Sequence, residues 1–482
     1  MSGMPASPAS PAPVAAPPSS RMILGLAVPA LGALVAEPLF VLVDSAFVAY
    51  VSTPSLAGLG LASTVLTTIV GLAIFLAYAT TADVARAVGA GDMRRAIAKG
   101  VDASWLALLI GAVCLIGLVV GGPALLGLFG PSDAVMREAT TYLRISAFGL
   151  PAMLMIQAAS GLVRGLQNTT ITLIIAVAGA VANIPLNWVL IFALDLGIAG
   201  SAVGTVVCQW LMAAAYIVIV VRGAREHASP LRPHLGGVRS VWSSARWLFI
   251  RTLTLRIVVL ATTAAALKLG DVQLAAHQLM NTVFMLTSLA LDSLAIAAQA
   301  LTGKYLGARD RASVTTVMRT LIRWSVLGGA VVSLLLAAAV FVVPGVFTPD
   351  PEVQVVLFWT MVVLLLAQPL AGYVFVLDGV FMGAGDAKYL AKAGVITMCA
   401  YLPFAAAIWW AASVAGGAGG TDGVAGSWVF AEVSGAPVGL PLLWAAFTVV
   451  FLGARAVTLW WRTRTDDWMH LDDAPEGAGA QG

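Results

Sequence analysis

Long apolar runs dominate the chain, and short polar or glycine- and proline-containing breaks separate them. Each run approaches or exceeds the roughly 20 residues that a helix needs to cross a bilayer, and none shows the alternation of a barrel strand. The pattern therefore predicts an all-α polytopic membrane protein with twelve transmembrane helices, near residues 23–49, 56–82, 101–121, 136–160, 170–194, 197–221, 246–268, 274–299, 320–343, 353–378, 391–414 and 438–462.

Composition narrows the possible functions. Hydrophobic residues make up 60% of the chain, charged residues only 10%, and the mean hydropathy is +0.95, which is untypical of a soluble protein. The net charge of +3 and the scattered basic residues do not indicate a nucleic-acid partner. The three cysteines lie in apolar runs and the four histidines lack metal-binding spacing, so we expect no cofactor and no metal. No catalytic cluster or phosphate-binding loop is visible, so we expect no enzyme activity.

Basic residues follow the even-numbered predicted helices, in groups after the second, sixth, eighth, tenth and twelfth. The breaks near 51–55, 195–197, 344–352 and 415–437 on the other side contain neither arginine nor lysine. Cytoplasmic loops of membrane proteins carry the excess of these residues. The sequence therefore predicts a multi-pass protein of the cell inner (cytoplasmic) membrane with both termini in the cytoplasm.

An internal repeat with an offset of 218 residues pairs Gly89 with Gly307, Pro151 with Pro369, and Pro185 with Pro403. Since the offset covers six helices, the halves share one orientation and are related by a pseudo-two-fold axis along the membrane normal, as in secondary transporters. The predicted organisation is a disordered N-terminal tail, an N-lobe, a basic cytoplasmic linker, a C-lobe and a disordered acidic tail, at 1–20, 21–221, 222–245, 246–464 and 465–482.

The first predicted helix carries two acids, Glu37 and Asp44. A charge at the centre of a membrane helix costs about 3 kcal/mol, so membrane carboxylates usually mark ion or substrate pathways. The two acids are seven residues apart and share one helix face. We expect Asp44 to couple transport to an ion, whereas Glu37 is either a second coupling acid or a packing residue. In the second half of the repeat, Thr262 is equivalent to Asp44 and Leu255 is equivalent to Glu37.

Asn183 and Asn187 are one turn apart on the fifth predicted helix, with Pro185 between them. Proline removes an amide donor and disturbs the helix one turn back. Carboxamides beside a carboxylate can bridge water, bond to a protonated acid or hold a cation; the alternative is that they only join neighbouring helices. The candidate ion-coupling residues are therefore Asp44, Asn183, Asn187 and Glu37.

Other polar residues within the predicted helices are candidates for a substrate cavity. Asp292 lies in the middle of its helix, and Arg256 is its expected neutralising partner, so a structural ion pair is the alternative there. Asp83, Arg86 and Asp378 lie at predicted cytoplasmic helix ends and are candidate gate or cap residues. The full set of cavity candidates is Asp44, Gln157, Gln278, Asn281, Asp292, Arg256 and Gln299.

With these residues assembled, the chain resembles the multidrug and toxic compound extrusion (MATE) family, in its DinF-like branch, over about residues 21–465. The resemblance is carried by Pro29 and by LVDSA at 42–46, VGAGD at 88–92, GLVRGLQNT at 161–169, VANIPLN at 181–187, SLALDSLAIAAQALTGKYLGARD at 288–310 and LDGVFMGAGDAK at 377–388.

The resemblance implies two six-helix bundles that face each other in a V. It also implies efflux of amphiphilic, often cationic, organic compounds in exchange for protons or sodium. It assigns the coupling carboxylate to Asp44 and places Asn183 beside it. Asn187 departs from the family, where many relatives have an aspartate, so we expect H+ rather than Na+ as the coupling ion.

The expected partners are small organic molecules and the lipid bilayer, with no nucleic acid, and the protein is expected to work as a monomer. One alternative is a lipid-linked precursor or polysaccharide flippase of the same superfamily, which needs a strongly basic cavity; Arg144, Arg251 and Arg256 are the candidates for it. A major-facilitator transporter also has a parallel repeat, but its aspartate-arginine signature is missing. A membrane-embedded enzyme or receptor is the alternative from another class.

Overall fold

The computed structural model describes residues 19–417, 432–433 and 436–469. Within these ranges, eleven helices and one bent pair are long and apolar enough to cross a membrane. They are α1 Ser20–Ala49, α2 Thr53–Gly89, α3 Met93–Gly127, α4 Asp133–Ala147 with Leu150–Gly165, α5 Thr169–Ala193, α6 Gly197–Glu226, α7 Gly236–Lys268, α8 Asp271–Gly307, α9 Arg311–Ala339, α10 Pro351–Ala384, α11 Ala387–Val414 and α12 Gly439–Thr463.

Two minor elements complete the described part of the chain. A short helix, Val343–Phe347, lies between α9 and α10. Strands β1, Glu432–Val433, and β2, Ala436–Pro437, pair antiparallel between α11 and α12. The all-α prediction with twelve membrane-spanning units is confirmed.

Several helices begin at a polar residue whose side chain accepts a hydrogen bond from the amide three residues later. This satisfies one of the amide groups that a helix leaves free at its start. Asp92 and Asp310, which the repeat pairs with each other, cap α3 and α9 in this way. The other residues that do so are Ser19, Ser52, Ser132 and Asn168.

Several helices of the bundle are irregular, and α2 is interrupted at Ile74. The two parts of α4 meet at an angle of 49°, and Pro151 lies in the first turn of its second part. The helix α5 runs through Pro185 and ends in a π-helical turn, Val189–Ala193. A similar turn, Phe447–Leu452, interrupts α12. Because α4 and α5 both carry residues of the polar cluster described below, these irregularities lie beside the candidate site.

The predicted domain boundaries differ from the structure in two places. The predicted linker 222–245 is helical at both ends, because α6 continues to Glu226 and α7 begins at Gly236. Residues 465–469 of the predicted disordered tail form turns on the C-lobe, since Trp468 is buried against Phe381 with ring centroids 5.3 Å apart. The rest of that tail, residues 470–482, and residues 1–18 lie outside the described residues.

The two lobes meet where α2 crosses α8, and the crossing uses the glycines that the repeat pairs with each other. A Cβ atom on Gly89 would overlap the carbonyl oxygen of Lys304, and a Cβ atom on Gly307 would overlap that of Arg86. Only glycine allows the two backbones to approach this closely. We call the end of the bundle where α2 and α8 terminate the basic end, after Arg86, Arg94, Lys304 and Arg309.

Three side chains fasten the lobes to each other near the basic end. Each donates a hydrogen bond to a backbone carbonyl of the opposite lobe, so the contact depends on the course of the backbone. The bonds run from Gln299 Nε2 to Tyr78 (2.6 Å), from Gln167 Nε2 to Ala300 (2.9 Å) and from Arg86 Nη1 to Ala384 (2.9 Å).

Candidate ion-coupling site

Asp44 lies in the second half of α1 and is only 4% exposed. Its side chain points into the N-lobe, towards α4, α5 and α6. The predicted position of this acid, away from lipid, therefore agrees with the structure. A buried carboxylate needs partners, and the neighbouring helices supply them.

Three uncharged donors surround the Asp44 carboxylate. Oδ1 accepts hydrogen bonds from Asn187 Nδ2 at 2.9 Å and from Ser201 Oγ at 2.6 Å. Oδ2 accepts one from the Tyr142 hydroxyl at 3.1 Å. Asn187 Nδ2 also donates to Asn183 Oδ1 at 2.9 Å, so the two carboxamides form one chain that ends on the acid.

Helix geometry explains how the cluster forms. Asn183 and Asn187 are one turn apart and therefore lie on the same face of α5. Both are almost completely buried, at 1% and 0% exposure. Ser201 and Gly204 lie one turn apart on α6, and the missing side chain of Gly204 leaves room for Asn187 Oδ1. That oxygen has no hydrogen-bond partner among the residues that the structure describes, so the cluster keeps one free acceptor there.

Within the described residues, no arginine or lysine forms an ion pair with Asp44. The same neighbours also suit a neutral carboxyl group. A proton on Oδ2 can be donated to the oxygen of Tyr142, whose own hydrogen can then turn towards the hydroxyls of Ser146 and Thr205 beside it. The site can therefore hold either protonation state with only rotations of hydroxyl groups.

The residue Glu37 is not part of this cluster. It lines a separate cavity of about 170 Å³ inside the N-lobe, and Gln157 lines the same cavity. Of the predicted cavity candidates in the described part of the chain, only Gln157 is among the lining residues. The remaining candidates lie elsewhere: Asp44, Gln278, Asn281, Asp292, Arg256 and Gln299.

The expected ion pair between Asp292 and Arg256 is wrong, because the described residues contain no such pair. Arg256 instead reaches across to Gly71 of α2, where a Cβ atom would overlap its guanidinium group. Asp292 lies within electrostatic reach of Arg251 and Arg164. Sequence spacing could not distinguish between arginines on the same helix that face different neighbours.

Other C-lobe candidates have structural partners. Asn281 Nδ2 lies 2.9 Å from Nε2 of His277, a buried histidine whose Nδ1 accepts a hydrogen bond from Trp444. Gln299 is one of the three side chains that fasten the lobes together. Gln278 is exposed.

The interpretation of Asp378 as a helix-end cap is wrong, because α10 continues to Ala384, and its role as a gate stays a prediction. Its carboxylate is bound by two buried arginines, Arg251 at 2.8 Å and Arg455 at 2.6 Å. The sequence could not show this triad, since Arg455 lies 77 positions further along the chain. Asp83 and Arg86 form an ion pair of 2.6 Å at the basic end, where Arg86 also binds the opposite lobe.

Sequence reasoning missed three functional candidates. Tyr142 and Ser201 contact Asp44 from 98 and 157 positions away, and nothing in the local pattern marks them. Arg164 lines the N-lobe cavity. Its charge within the motif GLVRGLQNT was visible in the sequence and could have been used as a signal.

Comparison with known proteins relates most of the chain to one protein family. The family model MatE matches residues 29–189 and 248–422. Protein DETOXIFICATION 44, chloroplastic, from Arabidopsis thaliana is 36% identical over 203 residues, which are 40% of this chain and 39% of the relative. DNA damage-inducible protein F from Escherichia coli is 28% identical over 193 residues, 40% of this chain and 42% of the relative. The matched stretch thus spans less than half of either relative.

A solved structure of the Vibrio cholerae MATE transporter VcmN in the bent form has a TM-score of 0.78. The superposition covers 93% of this chain and 96% of that one, at 18% sequence identity. At this identity the likeness concerns the fold alone.

Proposed function

The chain belongs to the MatE family, and on that premise we propose that it is a secondary active transporter that exports amphiphilic organic compounds in exchange for protons. One observation carries the proposal: Asp44 is buried among uncharged donors that suit both its charged and its neutral form. Low-dielectric surroundings make the charge of such an acid sensitive to what binds nearby. The proton-motive force supplies about 2.3 kcal/mol per charge per 100 mV.

In the proposed cycle, Asp44 takes up a proton from outside and releases it inside. The charged form attracts a cationic group of the exported compound, and protonation weakens that attraction and permits release. The prolines Pro29 and Pro38 lie within α1, where they allow the helix to change its bend when the charge changes. The reciprocal crossing at Gly89 and Gly307 brings α2 and α8 close together at the basic end in the present arrangement.

The arrangement of basic residues supports an orientation with the basic end in the cytoplasm and with both termini there. A cytoplasmic inner membrane is the proposed location, and a monomer is the proposed working form, since each lobe contributes to one continuous bundle. The alternative of a flippase for anionic lipid-linked precursors is less favoured. Of its candidate arginines, Arg251 is bound to Asp378, and neither Arg144 nor Arg256 lines the N-lobe cavity.

The test uses protein in proteoliposomes, with a pH jump and a sodium jump applied separately. We expect the pH jump alone to drive uphill efflux of a fluorescent organic cation, and Asp44→Asn to abolish it. The asparagine side chain keeps the shape of the cluster, so the variant should remain folded, with a melting temperature close to that of the wild type.

Asp133→Asn serves as the matched control, because it removes an exposed carboxylate at the beginning of α4. Proton-driven efflux at the normal rate in Asp44→Asn would show that another group couples transport. Efflux driven by the sodium jump but not by the pH jump would contradict the proposed ion.

Tyr142→Phe tests how the donors around the acid set its response to pH. Loss of this hydroxyl removes a hydrogen bond that favours the charged carboxylate. The pH at which efflux is half-maximal should therefore rise, with a smaller change in the maximal rate. An unchanged pH profile would mean that Tyr142 has no part in holding the proton.

A further inference from the structure

A groove lies on the outer surface of the N-lobe, between α4 and α6, and is separate from the N-lobe cavity. The indole Nε1 of Trp210 donates a hydrogen bond of 3.1 Å to the carbonyl oxygen of Phe148, which joins the two helices where α4 bends by 49°. The volume of the groove is about 440 Å³, and its lining is apolar except for one arginine: Ile145, Phe148, Val203, Val206, Val207 and Arg144.

Arg144 faces away from the interior of the lobe. Tyr142 points inwards to Asp44, and two positions along a helix correspond to a rotation of about 200°, so Arg144 points to the opposite side. The residues that share this outward face of α4 are all exposed: Arg137, Thr141, Arg144 and Phe148. The first part of α4 therefore presents two arginines to the surroundings of the bundle.

The groove lies near the boundary of the hydrocarbon core, in the half of the bundle away from the basic end. The helix α6 begins in that half and has 30 residues, so it is about 45 Å long and, when centred on a core of about 30 Å, extends about 7 Å beyond it. Val203 and Val207 follow Gly197, the first residue of α6, by about 9 and 15 Å and thus lie just inside the core. From this depth an arginine side chain reaches the level of the lipid phosphates.

No acid neutralises Arg144, which forms no ion pair within the part of the chain that the structure describes. Glu138 is turned towards α2, where it accepts a hydrogen bond of 3.0 Å from Ser55. Asp133 lies one turn before Arg137 and offsets the charge of that arginine. The groove therefore carries one unbalanced positive charge, on a guanidinium group whose planar fork of donors suits a phosphate.

The repeat shows that a lipid-facing surface at this place needs no arginine. The equivalent positions in the C-lobe lie on α10 and are all apolar: Val355, Trp359, Val362 and Leu366. Three of them are exposed, namely Val355, Trp359 and Leu366. The arginines of α4 are thus additions to an ordinary lipid-facing surface, on the side of the membrane where basic residues are usually scarce.

We propose that the groove between α4 and α6 binds an anionic phospholipid of the leaflet opposite to the basic end. The phosphodiester accepts hydrogen bonds from Arg144, and one acyl chain lies against Phe148, Val203 and Val207. Charge complementarity selects this occupant, because an anionic lipid neutralises the groove, whereas a zwitterionic lipid brings a cation of its own. The bound lipid supports the segment of α4 that carries Tyr142. The inference goes beyond the proposed transport function and does not depend on it.

The experiment uses phosphatidylglycerol and phosphatidylcholine with identical acyl chains, each with a photoactivatable diazirine in one chain. The full chain is reconstituted in nanodiscs of unlabelled phosphatidylcholine that contain one labelled lipid at a fixed low fraction. Mass spectrometry then measures the cross-linked peptides at the groove and at the C-lobe face of Val355, Trp359 and Leu366, which is the internal reference. We expect the ratio of phosphatidylglycerol to phosphatidylcholine cross-links to be about fivefold higher at the groove, the scale of one basic residue at a membrane surface.

Substitutions then assign the contact. Arg144→Gln should lower the ratio at the groove to that of the reference face and leave cross-linking at the reference unchanged. Arg144→Lys should retain part of the preference, because it keeps the charge but loses the fork. Arg94→Gln is the matched control, since it removes an exposed arginine at the basic end, and it should leave the ratio at the groove unchanged.

Equal ratios at the groove and at the reference face of the wild type would overturn the inference, and this comparison needs no variant that could fail to fold. Retention of the full preference in Arg144→Gln would also overturn it. Cross-linking is measured without an ion gradient or an exported compound. Its outcome is therefore independent of whether Asp44 couples efflux to protons.

Discussion

Asp44 and Asp378 are buried carboxylates in the two halves of one duplicated chain, at 4% and 6% exposure, and their surroundings are opposite. Asp44 accepts hydrogen bonds from an amide and two hydroxyls. Asp378 accepts from the guanidinium groups of Arg251 and Arg455, both of which are also buried. Two carboxylates that are buried to a similar degree therefore have different hydrogen-bond partners.

The two carboxylates differ in the free-energy cost of losing their charge. Protonation of Asp378 would leave two buried cations without their shared anion, so this acid stays ionised and serves the packing of α7, α10 and α12. Protonation of Asp44 strands no charge. The two halves therefore hold buried acids at positions that the repeat does not pair, and of these two acids only Asp44 can lose its charge without leaving a buried cation unpaired.

The repeat sharpens this contrast, because the C-lobe positions equivalent to Asp44 and Asn183 are Thr262 and Tyr401. These two residues contact each other through their hydroxyls at 2.7 Å. The contact between α1 and α5 thus has a neutral counterpart between α7 and α11. The framework of the polar cluster comes from duplication, whereas the titratable group in it does not.

The largest expected effect comes from breaking the charged triad. Asp378→Ala should lower the free energy of unfolding by about 3–5 kcal/mol, because it leaves Arg251 and Arg455 buried without an anion. The apparent melting temperature of the detergent-solubilised protein, followed by tryptophan fluorescence, measures this loss.

The stability of Asp44→Asn is measured in the same way, for comparison with Asp378→Ala. Asparagine Oδ1 can accept both bonds that Asp44 Oδ1 accepts, and its Nδ2 can donate to the Tyr142 oxygen. We expect a stability change of about 1 kcal/mol or less, the usual scale for one exchanged hydrogen bond. A loss in Asp44→Asn as large as that in Asp378→Ala would contradict the distinction between a titrating and a structural acid.

A smaller effect is expected where the two halves are alike, at the glycine crossing. Gly89→Ala and Gly307→Ala each place a methyl group into the backbone of the opposite lobe, and overpacking of this kind costs about 1–3 kcal/mol. Since the lobes can relieve the clash by separating at the basic end, we expect longer distances between spin labels on α2 and α8 there, measured by pulsed electron paramagnetic resonance.

Gly117→Ala is the control for this pair, because no atom lies within 4 Å of a Cβ at that position. It should leave both the label distances and the stability nearly unchanged. Unchanged distances in both Gly89→Ala and Gly307→Ala would show that the crossing does not hold the lobes together.

The sequence predicted the fold well because twelve apolar runs and a constant repeat offset are long-range, redundant signals. It also predicted that Asp44, Asn183 and Asn187 share a site, since two of them lie one turn apart on a single helix. It could not predict the partners that come from distant helices, such as Tyr142 for Asp44 or Arg455 for Asp378. Those contacts depend on how the helices are rotated against each other, and hydropathy does not encode that rotation.

The smallest expected effect concerns the acids that duplication kept equivalent, Asp92 and Asp310. Asp310 caps α9 outside the membrane-spanning segments, and its hydrogen bonds from Ser313 lower the pKa of its carboxyl group below the usual range. A lowered pKa means that the charged cap stabilises the fold above the usual aspartate pKa of about 4, and that this contribution is lost as the pH falls through the lowered pKa.

Replacement of this cap should therefore reduce stability in a pH-dependent way. Asp310→Ala should cost about 1 kcal/mol at neutral pH, and the difference from the wild type should shrink as the pH falls below about 4. Asp310→Asn keeps a good cap without a charge, so most of the stability should remain and should vary less with pH. Asp92→Ala removes the equivalent cap, which accepts from the Arg95 amide at 2.8 Å, and should cost a similar amount at neutral pH. Melting temperatures across this pH range check all three; a cost at Asp310 several times that at Asp92 would show that the halves differ even where the repeat pairs identical residues.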